Sequence, residues 1–270
     1  MDMNSVLSIA CAARDAGKGI MAIYESGQFG VEMKSDNSPL TRADVFSHNL
    51  INERLMQLTP DVPVISEEGK GVEYALRSSW RSFYLVDPLD GTKSFINRNG
   101  EFTVNIALIE DGQPVLGVIY APVSDTLYYG LPGDGAYRRK GDGYPVRIEV
   151  APPAESDDLI AVISRSHKSN EKELFMNTGI VKECLNSGSS LKFCLVAEGR
   201  AHIYPRFGPL WEWDTAAGHA ILRSAGGRVV DLRGGQEISY NKESLRHKGL
   251  LALPEWLLPR ILPYMDKIAS

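Results

Sequence analysis

Cysteine is scarce in this chain of 270 residues. The three present, Cys11, Cys184 and Cys194, are odd in number and scattered. They form neither a disulfide framework nor a CxxC metal site, a pattern that suits a reducing cytoplasm. A basic excess is missing too: 29 Lys+Arg stand against 34 Asp+Glu, a formal charge of -5. That balance argues against a nucleic-acid polymer as partner. No apolar run approaches the ~20 residues a bilayer requires, so no transmembrane segment is expected. Peripheral attachment at an inner membrane and the oligomeric state are left open. The apolar start at 6–13 follows Asp2 rather than a basic cluster and is broken by Arg14-Asp15, so it reads as a helix and not a signal peptide.

Several catalytic signatures are absent as well. There is no Gly-x-Ser-x-Gly elbow, which leaves Ser164 and Ser166 beside His167 a weak esterase case. Gly91-Thr92-Lys93-Ser94 lacks the residue order of a phosphate loop, and Gly133-x-Gly135 is a hairpin turn rather than a dinucleotide fingerprint. The histidines at 48, 167, 202, 219 and 247 are too dispersed for a zinc signature.

What is present is an ordinary globular composition, 43% hydrophobic and 23% charged, with enough chain to bury a sizeable core. Val6, Ile9, Ala13, Ala16, Ile20 and Ile23 recur at helical spacing over 5–25, and Ile51, Leu55 and Leu58 mark one face of a second helix over 41–58. The period then changes to two. Short strands are expected at 62–67 and at 82–87, where Phe83, Leu85 and Asp87 alternate, and a meander at 102–109, 115–120 and 126–129. A Pro-rich, acidic stretch at 151–158 marks a boundary between halves 1–152 and 153–270. The second half alternates strands at 160–163, 201–204, 228–232 and 249–253 with helices at 191–198, at 215–224 and after Pro254. The class is α/β with mixed, largely antiparallel sheet.

The informative residues are acids at the ends of these elements. Glu67-Glu68 close one strand, Asp87 closes another, Asp90 follows in the turn Asp87-Pro88-Leu89-Asp90-Gly91-Thr92, and Asp214 opens a helix. Pro88 fixes φ and Gly91 lets the chain reverse, so the turn can aim two carboxylates and the Leu89 carbonyl at one spot. Carboxylates that close repel unless a cation lies between them, and hard oxygen donors suit Mg²⁺. Amides of Gly91 and Thr92, if they open a helix, would meet a phosphate. Each feature also has a plain structural reading. Glu67-Glu68 fits a solvated loop, Thr41 to Asp44 a capping box, and Asp214 a helix-dipole acid. Spacing alone leaves a metal site and a simple turn both open.

Three separated motifs together resemble the lithium-sensitive, magnesium-dependent phosphomonoesterases of the inositol monophosphatase family: Glu67-Glu68, the Asp87–Thr92 turn, and Trp213-Asp214-Thr215-Ala216-Ala217-Gly218. Their order and separations match, and the element order covers nearly the whole chain. The strings Arg98 to Asn105, Gly188 to Cys194 and Tyr204 to Pro209 resemble most the bacterial 3'(2'),5'-bisphosphate nucleotidase branch. The resemblance implies a layered αβαβα sandwich, with most metal ligands in 1–152 and the active site and substrate pocket completed by 153–270.

Carried over position by position, it implies two or three Mg²⁺ per site. Glu67, Asp87, the Leu89 carbonyl, Asp90 and Asp214 would hold them, with Glu68 orienting water behind and Asp44 with Thr92 activating the attacking water. Substrate contacts would come from Glu67, Leu89, Asp90, Gly91, Thr92, Ser189 and Asp214, with Lys192 and Arg206 facing a 5'-phosphate; their plain reading is surface charge. The implied reaction is hydrolysis of adenosine 3',5'-bisphosphate (PAP) to AMP, with PAPS to APS a further reaction, in sulfate assimilation and PAP detoxification. Two rival readings stand beside it: an inositol or sugar monophosphate phosphatase with the same metal site, and a non-catalytic nucleotide sensor. Two departures from the branch are notable. Ser94 stands where Glu is common, and Leu210-Trp211-Glu212 is a bulky, acidic variant expected to reshape the nucleoside pocket.

Overall fold

The computed structural model describes residues 3–153, 158–165 and 179–269, the last four of these by backbone alone. Two helices realise the N-terminal periodicity. α1 (Met3–Ser26) buries Val6, Ile9, Ala13, Ala16 and Ile20 along one face. A small antiparallel ribbon, β1 (Glu32–Met33) with β2 (Pro39–Leu40), leads into α2 (Arg42–Leu58), which buries Ile51 and Leu55. Leu58, expected on that face, is 45% exposed because the helix ends there, with Thr59 already out of helical conformation.

The change to period two produces a seven-stranded sheet in sequence order. Its strands are β3 (Val64–Ser66), β4 (Ser82–Asp90), β5 (Thr103–Glu110), β6 (Gln113–Ala121), β7 (Thr126–Leu131), β8 (Gly135–Lys140) and β9 (Val146–Ile148). Only β3 and β4 pair in parallel. Two short helices, α3 (Tyr74–Arg77) and α4 (Thr92–Ile96), flank β4. Alternation divides the core: Tyr84 and Val86 pack with α1 and α2, whereas Phe83 and Leu85 face the opposite side. Asp87, next in that series, shares the second face. The strand expected to end at Asp87 runs on to Asp90, with a register break between the two. Pro88 lacks an N–H for the ladder, so the chain bulges and resumes pairing at Asp90 opposite Thr103.

Beyond the sheet lie β10 (Leu159–Ser164) in parallel with β11 (Val181–Ser187), then α5 (Leu191–Ala197), β12 (Tyr204–Arg206), β13 (Leu210–Trp211) and α6 (Glu212–Ser224). β14 (Gly227–Asp231), β15 (Arg246–His247), β16 (Leu250–Pro254) and α7 (Leu258–Ala269) complete the chain. Two boundaries differ from expectation. The strand placed at 201–204 forms over Tyr204–Arg206, with Ile203 making only an isolated bridge to Ala161, and α6 starts at Glu212 rather than 215. Pro254 both closes β16 and caps the short 3₁₀ turn Glu255–Leu257 that leads into α7, which Pro263 interrupts, as expected. Trp256 is partly buried, its indole N–H donating to the Ala151 carbonyl at 2.8 Å.

α6 lies directly on the large sheet. A Cβ on Gly117 would stand 2.3 Å from the Ala217 carbonyl oxygen, so only glycine permits that approach. On its other side, α5 and α6 meet the smaller sheet β12-β16-β14, whose far face packs with Ile261 and Met265 of α7. The layers run helix, sheet, helix, sheet, helix. Among the described residues no helix is long and apolar enough to cross a membrane.

Candidate active site

The face on which Asp87 lies dictates where the acids gather. Just past β3 the Glu67 amide donates to the Val86 carbonyl at 3.0 Å, which extends the parallel pairing and sets Glu67 beside Asp87. From the helix layer, α6 presents Asp214 in its first turn, where the Trp211 amide donates to Oδ2 at 2.9 Å. One carboxylate oxygen from each of Glu67, Asp87 and Asp214 falls within 4.8 Å of the others. Three elements from two halves of the sequence converge on one point.

Electrostatics make that convergence costly without a cation. Burial raises the Asp87 carboxyl well above its ordinary range, and the charges of Glu67, Asp90 and Asp214 push it further. Asp214 is raised by burial and then by Asp90 and Glu67. Glu67 is raised by burial, against the opposing pull of Lys34. Hard, mutually repelling, buried oxygen donors are what a small divalent cation satisfies, so the donor set fits a metal.

Around this group the turn is held from several sides. The Leu89 amide donates to Asp87 Oδ1 at 3.0 Å, and the Leu89 carbonyl accepts the Thr92 hydroxyl at 3.4 Å. Ser47 on α2 donates to the Pro88 carbonyl at 2.7 Å. Gly91 has φ +98°, and a Cβ there would meet the Glu101 carbonyl at 2.9 Å. Thr92 then opens α4. Asp90 accepts from the Ser189 hydroxyl at 2.8 Å.

Asp44 makes the capping contact and also reaches Thr92. It closes the capping box of α2, with Oδ2 accepting the Thr41 amide at 2.7 Å, while Oδ1 accepts the Thr92 hydroxyl at 3.0 Å. Burial raises its carboxyl, opposed by the bonds from Thr41 and Thr92. Glu68 is half-buried, pushed to about 7 chiefly by burial, with the Lys34 ammonium 2.5 Å away opposing the rise.

A cleft of about 290 Å³ joins the acids to the second half. Glu67, Asp90, Thr92 and Asp214 line one side; Ser189, Lys192 and Arg206 line another. The plain surface-charge reading fails for Lys192, which is 5% exposed. Its ammonium donates to the Ser189 carbonyl at 2.5 Å and lies 5.2 Å from the centre of the Tyr204 ring; burial lowers its pKa to about 8. Arg206 keeps a buried Nε without a hydrogen-bond partner among the described residues. Of the variant stretch, only Leu210 lines the cleft. Glu212 is fully buried and held by the Asn241 and Lys242 amides and the Lys242 ammonium, so its acidity does not face the nucleoside pocket.

Sequence patterns missed some contributors. Lys34 bonds both Glu67, at 2.9 Å, and Glu68; a lysine in a polar loop carries no periodic signal. Asn105 pairs across the ladder with Asp87, and its Oδ1 accepts the hydroxyls of Thr103 and Ser190, tying β5 to the start of α5. Arg165 also lines the cleft and grips Glu101 through two bonds of 2.7 and 2.8 Å. Ser166 and His167 lie outside the described residues.

An acidic, cation-seeking centre beside a cationic, phosphate-sized cleft, on an αβαβα frame, defines a class of metal-dependent phosphoester chemistry. Residues 2–268 match the model of the inositol monophosphatase family. The chain belongs to that family, whose members are metal-dependent. It is 49% identical to the 3'(2'),5'-bisphosphate nucleotidase CysQ of Salmonella typhimurium over 82% of this chain and 88% of that protein. The CysQ of Buchnera aphidicola is 46% identical, covering 86% of each. Among solved structures, CysQ from Bacteroides thetaiotaomicron superposes with a TM-score of 0.80 at 43% identity, covering 93% of this chain and 97% of that one.

Proposed function

We propose that this chain is a Mg²⁺-dependent 3'(2'),5'-bisphosphate nucleotidase that hydrolyses PAP to AMP and phosphate, and PAPS to APS, serving sulfate assimilation and PAP detoxification in the cytoplasm. One observation carries the reading: the Glu67, Asp87 and Asp214 carboxylates cluster together, and through Glu67 and Asp214 they open on a cleft that two cationic side chains, Lys192 and Arg206, also line. A phosphate ester that bears a second phosphate needs both. The likeness to CysQ proteins over most of the chain supports the same substrate.

In this reading Glu67, Asp87, the Leu89 carbonyl, Asp90 and Asp214 hold two or three Mg²⁺. Bound there, the ions supply positive charge against the phosphoryl oxygens and acidify water. The chain's own groups position the reaction. Thr41 fixes Asp44 through Oδ2, so Oδ1 is aimed at the Thr92 hydroxyl. Thr92 takes a proton from the attacking water as it passes its own to Asp44, a general-base relay. Glu68 orients water beside the acids. The Gly91 and Thr92 amides and the Ser189 hydroxyl receive the scissile phosphate, while Lys192 and Arg206 hold the 5'-phosphate. Residues 1–152 thus bring most of the ligands, and 153–270 complete the pocket.

The test is phosphate release from PAP with Mg²⁺, with and without lithium, beside inositol 1-phosphate. Fast, lithium-sensitive release from PAP is expected. Preference for inositol 1-phosphate would replace the nucleotide reading with the monophosphatase one. Tight nucleotide binding without release would leave a sensor.

A further inference from the structure

A second cavity, of about 590 Å³, shares no lining residue with the cleft. The ribbon β13–β15 contributes to both: Leu210 lines the cleft, and its ladder partner His247 lines the second cavity. Arg233, Lys242, Arg246 and Lys248 line it, against two acids, Asp231 and Glu237.

Those acids are already engaged within the fold. Asp231 accepts the backbone amides of Arg233, Gly234 and Gln236, and Glu237 accepts from His219 at 3.1 Å. The cations are less committed. Lys242 bonds Glu212, and Arg246 lies 3.9 Å from the centre of the Trp211 ring. Arg233 and Lys248 are exposed and have no carboxylate partner among the described residues. Four cations against two acids, with Lys242 paired to Glu212, leave the rim net positive.

His247 closes one side of the cavity. It is 5% exposed, and the Lys242 ammonium lies 3.2 Å from its Nδ1. An ammonium only donates, so Nδ1 accepts and the proton of the neutral ring sits on Nε2. That Nε2–H is enclosed with no partner among the described residues, so the ring is part of the cavity's wall and not a contact for a ligand. Phe207, Leu232 and Ile238 give the same cavity an apolar wall.

We propose that this cavity is a second ligand site, separate from the catalytic cleft, for a small phosphorylated molecule with an apolar or aromatic body. The anionic group meets Arg233, Arg246 and Lys248, and the ring lies on Phe207 and Leu232. The lining carries four cations against two acids and has an apolar wall, as such ligands require.

Phenylphosphonate is a suitable probe, being a dianion with an aromatic body and no hydrolysable ester. Calorimetric titration of the full chain in chelator, which removes metal-assisted anion binding in the cleft, measures the site alone. One equivalent is expected to bind. The exposed pair R233A/K248A should weaken it about tenfold or more, while Lys192→Met in the cleft leaves it unchanged. Two results overturn the proposal: no binding at millimolar probe, or binding lost in Lys192→Met and retained in R233A/K248A.

Discussion

The Thr92 hydroxyl donates to Asp44 Oδ1 at 3.0 Å, linking residues 48 positions apart in the chain. Asp44 is meanwhile bound at Oδ2 by Thr41 at the start of α2. Helix capping fixes the carboxylate, and the fixed carboxylate orients the hydroxyl. In the proposed mechanism this local folding device anchors the proton relay.

Thr92→Val removes the hydroxyl and keeps the shape. Turnover of PAP should fall by about 10²–10⁴-fold, the usual share of general acid–base catalysis, with KM little changed. Steady-state kinetics checks this. A rise in KM at constant turnover would instead assign Thr92 to substrate binding.

Lys34 compensates two acids that otherwise face each other. Its ammonium is raised above its ordinary pKa because the charges of Glu67 and Glu68 outweigh its burial. Lys34→Met should lower the melting temperature most in chelator, so that the stabilisation gained on adding Mg²⁺ is larger than in the parent. Equal Mg²⁺-induced shifts in the two proteins would contradict this role.

In the proposed mechanism Lys192 and Arg206 bind the second phosphate, apart from chemistry on the first. Lys192→Met and Arg206→Met should each raise KM for PAP by about tenfold or more, the cost of one charge-assisted bond. Hydrolysis of inositol 1-phosphate, which lacks a second phosphate, should change little. Parallel losses on both substrates would move these residues to the scissile phosphate.

Burial of His247 makes stability depend on pH. Burial, then the charges of Lys242 and His219, lower its pKa to about 3 from 6.5, and the Tyr240 ring packs edge-on against it. Between those values the unfolded chain binds a proton that the folded one refuses, so the contribution is complete above pH 6.5 and lost as pH falls. From pH 6.5 to 5 it amounts to about 2 kcal/mol. Urea denaturation of His247→Asn at pH 7 and pH 5 should show a smaller acid-induced loss than the parent by about that amount. An identical loss would mean that His247 is solvated when protonated.

Much of the fold was legible because its elements are periodic. The stripe of α1 and the alternation of Phe83, Leu85 and Asp87 reflect which face is buried, and each recurs in the structure. The acids were legible as three motifs, but only the parallel pairing of β3 with β4 and the seating of α6 on the sheet bring Glu67, Asp87 and Asp214 together. Strand β4 runs past its expected end because a bulge at Pro88 lets pairing resume, which local pattern does not reveal. Lys34 and Glu212 were illegible for a different reason. Their places depend on tertiary partners, the Glu67–Glu68 pair and the 241–242 amides, and a lone charge in a loop or at a helix start reads as solvated until those partners are known.

Asp87→Asn is the most direct test of a catalytic centre built on these carboxylates. It removes one charge at the point where burial and four neighbouring acids converge, and keeps the volume. PAP hydrolysis should be nearly abolished at all Mg²⁺ concentrations, while circular dichroism stays that of the parent. Near-parental turnover in a folded Asp87→Asn protein would contradict the account.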